Sequence, residues 1–249
     1  MTPFYFGAGR QRLFGIYEPA VLTGSGKRGA VLCYPWGPEY VHAHRVMRQL
    51  AIRLAGAGVH TLRFDFFGTG DSAGEMVDAD LATWEADIEL AMEELRDISG
   101  PTRMTLIGLR LGATLAARVA ARRPKDVDTL VLWDPILSGS DYLASLGATA
   151  APGASDLPLT VRGFPVTAEM HRDLRAIALA PPLTPPGARG LTLITDPGAH
   201  APPPGPWDGK SERPDTTEFI KAVCPWIEDP DTIGAVPVAV LQRIVDWLG

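Results

Sequence analysis

Arg110 stands where the residues around it call for a nucleophile. The segment Met104-Thr105-Leu106-Ile107-Gly108-Leu109-Arg110-Leu111-Gly112-Ala113 reads as a short apolar strand, a sharp turn and an alanine-rich helix. Two glycines flank a central residue at the spacing of a G-x-S-x-G turn, which lifts a serine hydroxyl out of a strand-to-helix corner. Gly108 permits the tight turn, and Gly112 lets the helix pack close to the strand. The serine itself is replaced by arginine, whose guanidinium stays protonated and does not attack a carbonyl. Chemistry at this position is therefore electrostatic. The cation either pairs with a carboxylate, for which Glu39, Asp134 and Asp196 are the candidates, or receives an anion from outside the chain.

The elements that must hold Arg110 alternate in type. Strands are expected at 13–17, 30–34, 59–64, 103–107, 129–133 and 190–195, with a last strand at 219–223. Helices are expected after 30–34, where Met47, Leu50, Ala51 and Leu54 share one face, and around Trp84, Ile88, Ala91, Met92 and Leu95. A third helix spans 111–122, and Leu241, Ile244, Val245 and Leu248 mark a closing one. Strand–helix alternation of this kind implies a parallel sheet with right-handed crossovers. The pattern breaks at Ser138. From there to Gly190 the chain is rich in Ala, Pro and Gly, with helical pieces at 140–147 and 167–179. The division expected is a core of residues 1–137 and 191–249 with a lid or cap insertion at 138–190, since a long insertion in a compact domain is usually functional.

Composition excludes several roles. With a net charge of −6 and no basic run, the chain is not expected to bind nucleic acid. No apolar run approaches the length of a membrane span. The N-terminus lacks the positive region and apolar stretch of a signal peptide. Cys33 and Cys224 form no metal or redox spacing, and Cys33, inside an apolar strand, reads as an inert buried thiol. A cytoplasmic, reduced protein with no cofactor and no metal is expected.

The layout resembles the α/β-hydrolase fold over nearly the full chain. Besides the turn at Arg110, strand 30–34 is followed by Pro35-Trp36-Gly37-Pro38-Glu39-Tyr40, where that family places its oxyanion-hole loop. Strand 59–64 runs into Asp65-Phe66-Phe67-Gly68-Thr69-Gly70-Asp71-Ser72, similar to the family's D-x-x-G-x-G-x-S turn. Gly108–Ala113 together with Trp133-Asp134-Pro135 is similar to a bacterial branch of hydrolase-like proteins found with exosortase systems and in natural-product gene clusters. The resemblance implies a mostly parallel sheet of about eight strands and a triad in the order Ser, acid, His. The serine position is Arg110. The stretch after the last strand, 225–235, contains carboxylates and no histidine. Of the histidines, His60 reads as structural, and His171 and His200 receive no role.

The same resemblance puts Arg110 at a helix N-terminus, which carries about half a positive charge. The amides of Leu111 and of the 35–37 loop would point at it, as in an oxyanion hole, and the guanidinium fork adds bidentate capacity. The residues expected to do chemistry are Arg110, Glu39, Asp134 and Asp196. Those expected to hold an anion are Arg110, Leu111, Pro35, Trp36, Gly37, Tyr40, His42 and His44. The ligand would be a small carboxylate, phosphate or sulfate. With two of three triad members missing, the expected function is ring closure or elimination rather than hydrolysis. The alternatives are a degenerate homologue serving as a protein partner, scaffold or homodimer, and an unconventional esterase or thioesterase.

Overall fold

The computed structural model describes residues 1–21, 27–148, 159–195, 215–224, 226 and 235–249. Its strands are β1 (Thr2–Phe6), β2 (Leu13–Glu18), β3 (Arg28–Cys33), β4 (Val59–Phe64), β5 (Arg103–Leu109), β6 (Thr129–Trp133), β7 (Leu159–Val161), β8 (Phe164–Val166), β9 (Arg189–Ile194) and β10 (Asp215–Phe219). Its helices are α1 (Pro38–Gly56), α2 (Leu81–Ser99), α3 (Leu111–Arg122), α4 (Gly139–Ser145), α5 (Ala168–Arg175) and α6 (Val238–Leu248). Eight strands form one sheet in the order β1-β2-β4-β3-β5-β6-β9-β10. From β4 to β10 the neighbours are parallel, while β1 and β2 join antiparallel at one edge.

The central strands are apolar on both faces, as a sheet covered on both sides requires. One face places Leu62, Phe64, Leu106 and Leu132 against Trp84, Ile88 and Val119 of α2 and α3. The other places Leu32, Ile107, Val131 and Leu191 against Met47 and Leu50 of α1 and Leu241 and Ile244 of α6. The strand order makes β5 central, so Arg110 at its end lies in the middle of the sheet's C-terminal edge.

Three elements differ from expectation. The last strand is Asp215–Phe219, not 219–223. It lies along β9 on one side, and its half-exposed Asp-Thr-Thr-Glu-Phe sequence needs no apolar run. The more apolar Ile220-Lys221-Ala222-Val223 follows it outside the sheet. Strand β1 at the opposite edge is half-exposed as well, which leaves it a weak hydrophobic signature. Within the insertion a two-stranded antiparallel hairpin, β7–β8, turns at Arg162 and Gly163, both at positive φ.

The insertion is closed at its base. Leu179 donates its amide to the Leu137 carbonyl, Gly139 donates to Ile177, and Ser138 bridges Ala178. Its helix α4 is capped by Ser138 and α5 by Thr167. Leu143, Val166, Met170 and Leu174 join the same core as α2 and α3. His171 is buried and its Nε2 meets the Ala148 carbonyl at 3.1 Å.

The turn after β4 is self-contained. Asp65 accepts the Asp71 amide, and Ser72 bonds the Asp65 carbonyl while accepting from the Phe14 amide. Beneath it, Asp87 of α2 accepts the Phe67 amide through Oδ2 at 2.8 Å, and its Oδ1 has no partner among the described residues. Burial pushes this carboxyl up to about 7. The folded value lies above the unfolded value of about 4, so the stability Asp87 contributes is present below that lower value and is lost as pH rises through the higher one. We expect the stability difference, wild type minus Asp87→Asn, to fall by about 2–3 kcal/mol between about pH 5 and pH 8 in urea unfolding. A pH-independent difference would show that Asp87 is ionised throughout.

Candidate functional site

Arg110 caps α3 from the end of β5 with φ 54 and ψ −121. A non-glycine residue at positive φ costs on the order of 1–3 kcal/mol and persists only where its surroundings enforce it. Two glycines supply that enforcement. A Cβ on Gly108 would lie 2.3 Å from the Ala113 Cα, and one on Gly112 would lie 2.3 Å from the carbonyl oxygens of Cys33 and Tyr34. The corner is therefore locked by backbone contacts on both sides. The Arg110 amide donates to the Trp133 carbonyl of the next strand at 2.9 Å.

The side chain is buried, with 6% of Arg110 exposed. Its Nε donates to Glu39 Oε1 at 2.9 Å. Glu39 lies in the first turn of α1, which starts at Gly37 (φ 63) with Pro38 in its first turn. The other Glu39 oxygen accepts from the Tyr142 hydroxyl of α4 at 3.1 Å. The Arg110 Cζ lies 5.7 Å from the Tyr142 ring centroid and 5.8 Å from that of Trp226. One carboxylate thus joins α1, the elbow and the insertion. Arg110 Nη1 is buried and has no hydrogen-bond partner among the described residues. Burial pushes the Glu39 carboxyl up from its ordinary value while the Arg110 guanidinium beside it pulls the other way. Burial also opposes charge on Arg110, but the Glu39 carboxylate prevails and holds the guanidinium above its usual range.

Of the three carboxylates offered to Arg110 by the sequence, Glu39 makes the contact. Asp134 is fully buried at the end of β6 and holds Thr195, accepting from its amide at 2.8 Å and from its hydroxyl, and it also acts on Arg110 through space. Trp133 Nε1 donates to the same hydroxyl. Asp196 and His200 lie outside the described residues, as does most of 225–235. Leu111, Pro35, Trp36 and Gly37 are buried, and the Trp36 indole donates to Met76 Sδ at 3.4 Å. Phe164 of β8 lies 3.8 Å from where a Gly37 Cβ would stand, so the hairpin reaches this loop.

Three candidates stand elsewhere. The Tyr40 hydroxyl donates to Asp65 at 2.8 Å, which places it in the turn after β4. His44 is exposed and stacks on Tyr34, and half-buried His42 makes no hydrogen bond to Arg110 or Glu39. Tyr142, Trp226 and Thr195 were not singled out by sequence. Tyr142 lies within an expected helical piece, but nothing local signals a partner 103 positions away.

Comparison with known proteins places the fold. Residues 40–172, just over half of the chain, match the family profile described as serine aminopeptidase, S33. The chain belongs to that family of α/β hydrolases. It is 35% identical over 143 residues to an uncharacterized protein of Mycobacterium tuberculosis, an alignment covering 57% of this chain and 46% of the relative. The chain therefore spans about half the length of the curated relatives it matches. Among solved structures it resembles Est1E from Butyrivibrio proteoclasticus with ferulic acid bound (TM-score 0.70, 15% identity, 98% and 97% of the two chains). It also resembles a thioesterase domain from the curacin biosynthetic pathway (TM-score 0.60, 17% identity, 98% and 99%). These likenesses show the α/β-hydrolase fold.

A buried ion pair is a poor source of net stability, but removing one partner strands the other charge. We expect Arg110→Ala to lower stability by about 3–5 kcal/mol in urea unfolding at neutral to basic pH, with Glu39→Gln in the same chain recovering part of the loss. Unchanged stability in Arg110→Ala would show that Glu39 does not depend on the guanidinium.

Proposed function

We propose that this hydrolase-fold protein binds a small anion at Arg110 and acts without a nucleophile of its own. The observation that carries the reading is the placement of a guanidinium at the elbow with its Nη1 buried and unpartnered among the described residues. A buried donor left unmade costs about 1–3 kcal/mol, and more when it is charged, so an acceptor brought by a ligand has a ready place. The N-terminus of α3 adds its positive end, and the Leu111 amide belongs to that first turn.

In this reading the site stabilises a substrate carboxylate or a departing anion, and a group of the substrate itself attacks or eliminates. That is ring closure or elimination, in keeping with the natural-product setting of the proteins whose elbow it resembles. Glu39, held above the ordinary carboxylate range by burial, is the group best suited to take a substrate proton. Asp134 is less suited, because the Thr195 amide and hydroxyl both donate to it. The described residues of 138–190 act as a cover, with Tyr142 reaching Glu39 and Phe164 lying over Gly37.

The second reading is a degenerate homologue serving as a partner or scaffold subunit. It is favoured by the sealing of the pair, since Glu39 and Arg110 are each only 6% exposed.

Two measurements separate these readings. Purified protein should hydrolyse neither p-nitrophenyl esters nor acyl thioesters above the buffer rate. Benzoate should raise the melting temperature of the wild type and do so less in Arg110→Lys, where a point charge replaces a planar fork. Absence of any benzoate effect favours the scaffold reading. Robust ester turnover abolished by changing His42, His44 or Cys33 would overturn both.

A further inference from the structure

The charge balance around Arg110 sets a condition on what can bind there. This inference rests on the anion-site reading above. Among the described residues, the charged or titratable groups facing Glu39 are Arg110 at the elbow, Tyr142 from α4 and Asp134 from the end of β6. The buried set therefore already holds one guanidinium against the Glu39 carboxylate, with Asp134 nearby. A second anion brought to Arg110 would leave the set with excess negative charge. In a water-poor interior such an imbalance is costly and is relieved by a change of protonation.

The groups differ in how readily they can take the proton. Arg110 is already protonated. Asp134 is already engaged by two donors, the Thr195 amide and hydroxyl. Glu39 has Arg110 Nε and the Tyr142 hydroxyl, and the first weakens when a ligand carboxylate on Nη1 shares the same guanidinium charge. A Glu39 stripped of part of its counter-charge, at 6% exposure, is the carboxylate whose ionisation the ligand makes costly. Once protonated it carries one O–H, which can donate to the arriving carboxylate or stay within reach of Tyr142.

We propose that Glu39 is an internal stand-in for the ligand's carboxylate, and that a monoanionic carboxylate binds at Arg110 together with one proton, which Glu39 takes. The balance is simple. The ligand anion forms hydrogen bonds to the guanidinium, the Glu39–Arg110 contact is weakened or broken, and a proton neutralises the Glu39 carboxylate, drawn from solvent when the ligand, like benzoate, has none to give and from the substrate when it has. The O–H bond formed on Glu39, with the proton lost by its donor, is the one covalent change. A dianion such as sulfate would need a second proton acceptor, so the site favours monoanionic carboxylates. Tyr142 makes the event felt in the insertion, because its hydroxyl is bonded to the group that changes charge.

Isothermal titration with benzoate tests this in the wild type and in Glu39→Gln, in buffers of low and high ionisation enthalpy. In the wild type, binding should consume up to one proton, and affinity should weaken by up to about tenfold for each pH unit between about 6 and 8. In Glu39→Gln, benzoate should bind with no proton uptake and with the same affinity across that range. Proton uptake that persists in Glu39→Gln, or its absence from both proteins while both bind, overturns the role of Glu39 and leaves the anion site standing. Failure of both proteins to bind benzoate overturns the anion site itself and this inference with it.

Discussion

A guanidinium taken out of water demands a counter-charge, and much of the upper sheet edge is arranged around meeting that demand at Arg110. The desolvation of an ion costs several kcal/mol even after relaxation, and a partner repays it only with good geometry. Glu39 provides the geometry through one oxygen and spends the other on Tyr142. The first turn of α1, the β5–α3 corner and α4 are thereby tied through a single carboxylate. The Tyr142 and Trp226 rings flank the cation and exclude water from it, which strengthens the pair and raises the cost of any unmet donor.

The backbone at Arg110 has the shape of a tight strand-to-helix corner. The corner at residue 110 retains positive φ because Gly108 and Gly112 leave no room for a relaxed alternative. Such a corner aims whatever it carries at the C-terminal ends of the strands, where ligands of open α/β sheets bind. In the proposed function, the guanidinium at that corner serves electrostatics on the hydrolase scaffold. Membership of the S33 family fixes the fold; the function follows from the site.

The parts legible in sequence are those governed by local rules. Strands 59–64 and 129–133 and helix 111–122 are bounded by sharp changes of pattern, and the structure gives the same limits. The elbow is legible because two glycines at fixed spacing have one good use beside an apolar strand. Strand β10 is not, because a polar edge strand satisfies its backbone through β9 and owes little to its side chains. Tyr40 adjoins the loop that faces Arg110, yet a helix turns successive residues by about 100°, and its hydroxyl meets Asp65. Tyr142 and Thr195 reach the site only through tertiary folding, and no local pattern records that.

The most direct measurement is a crystal structure of the protein soaked in benzoate. A carboxylate should lie on Arg110 Nη1 near the Leu111 amide, with the Glu39–Arg110 distance lengthened beyond hydrogen-bonding range and the corner at Arg110 unchanged. An intact Glu39–Arg110 pair with benzoate elsewhere, or an Arg110 side chain turned out to solvent, would contradict it.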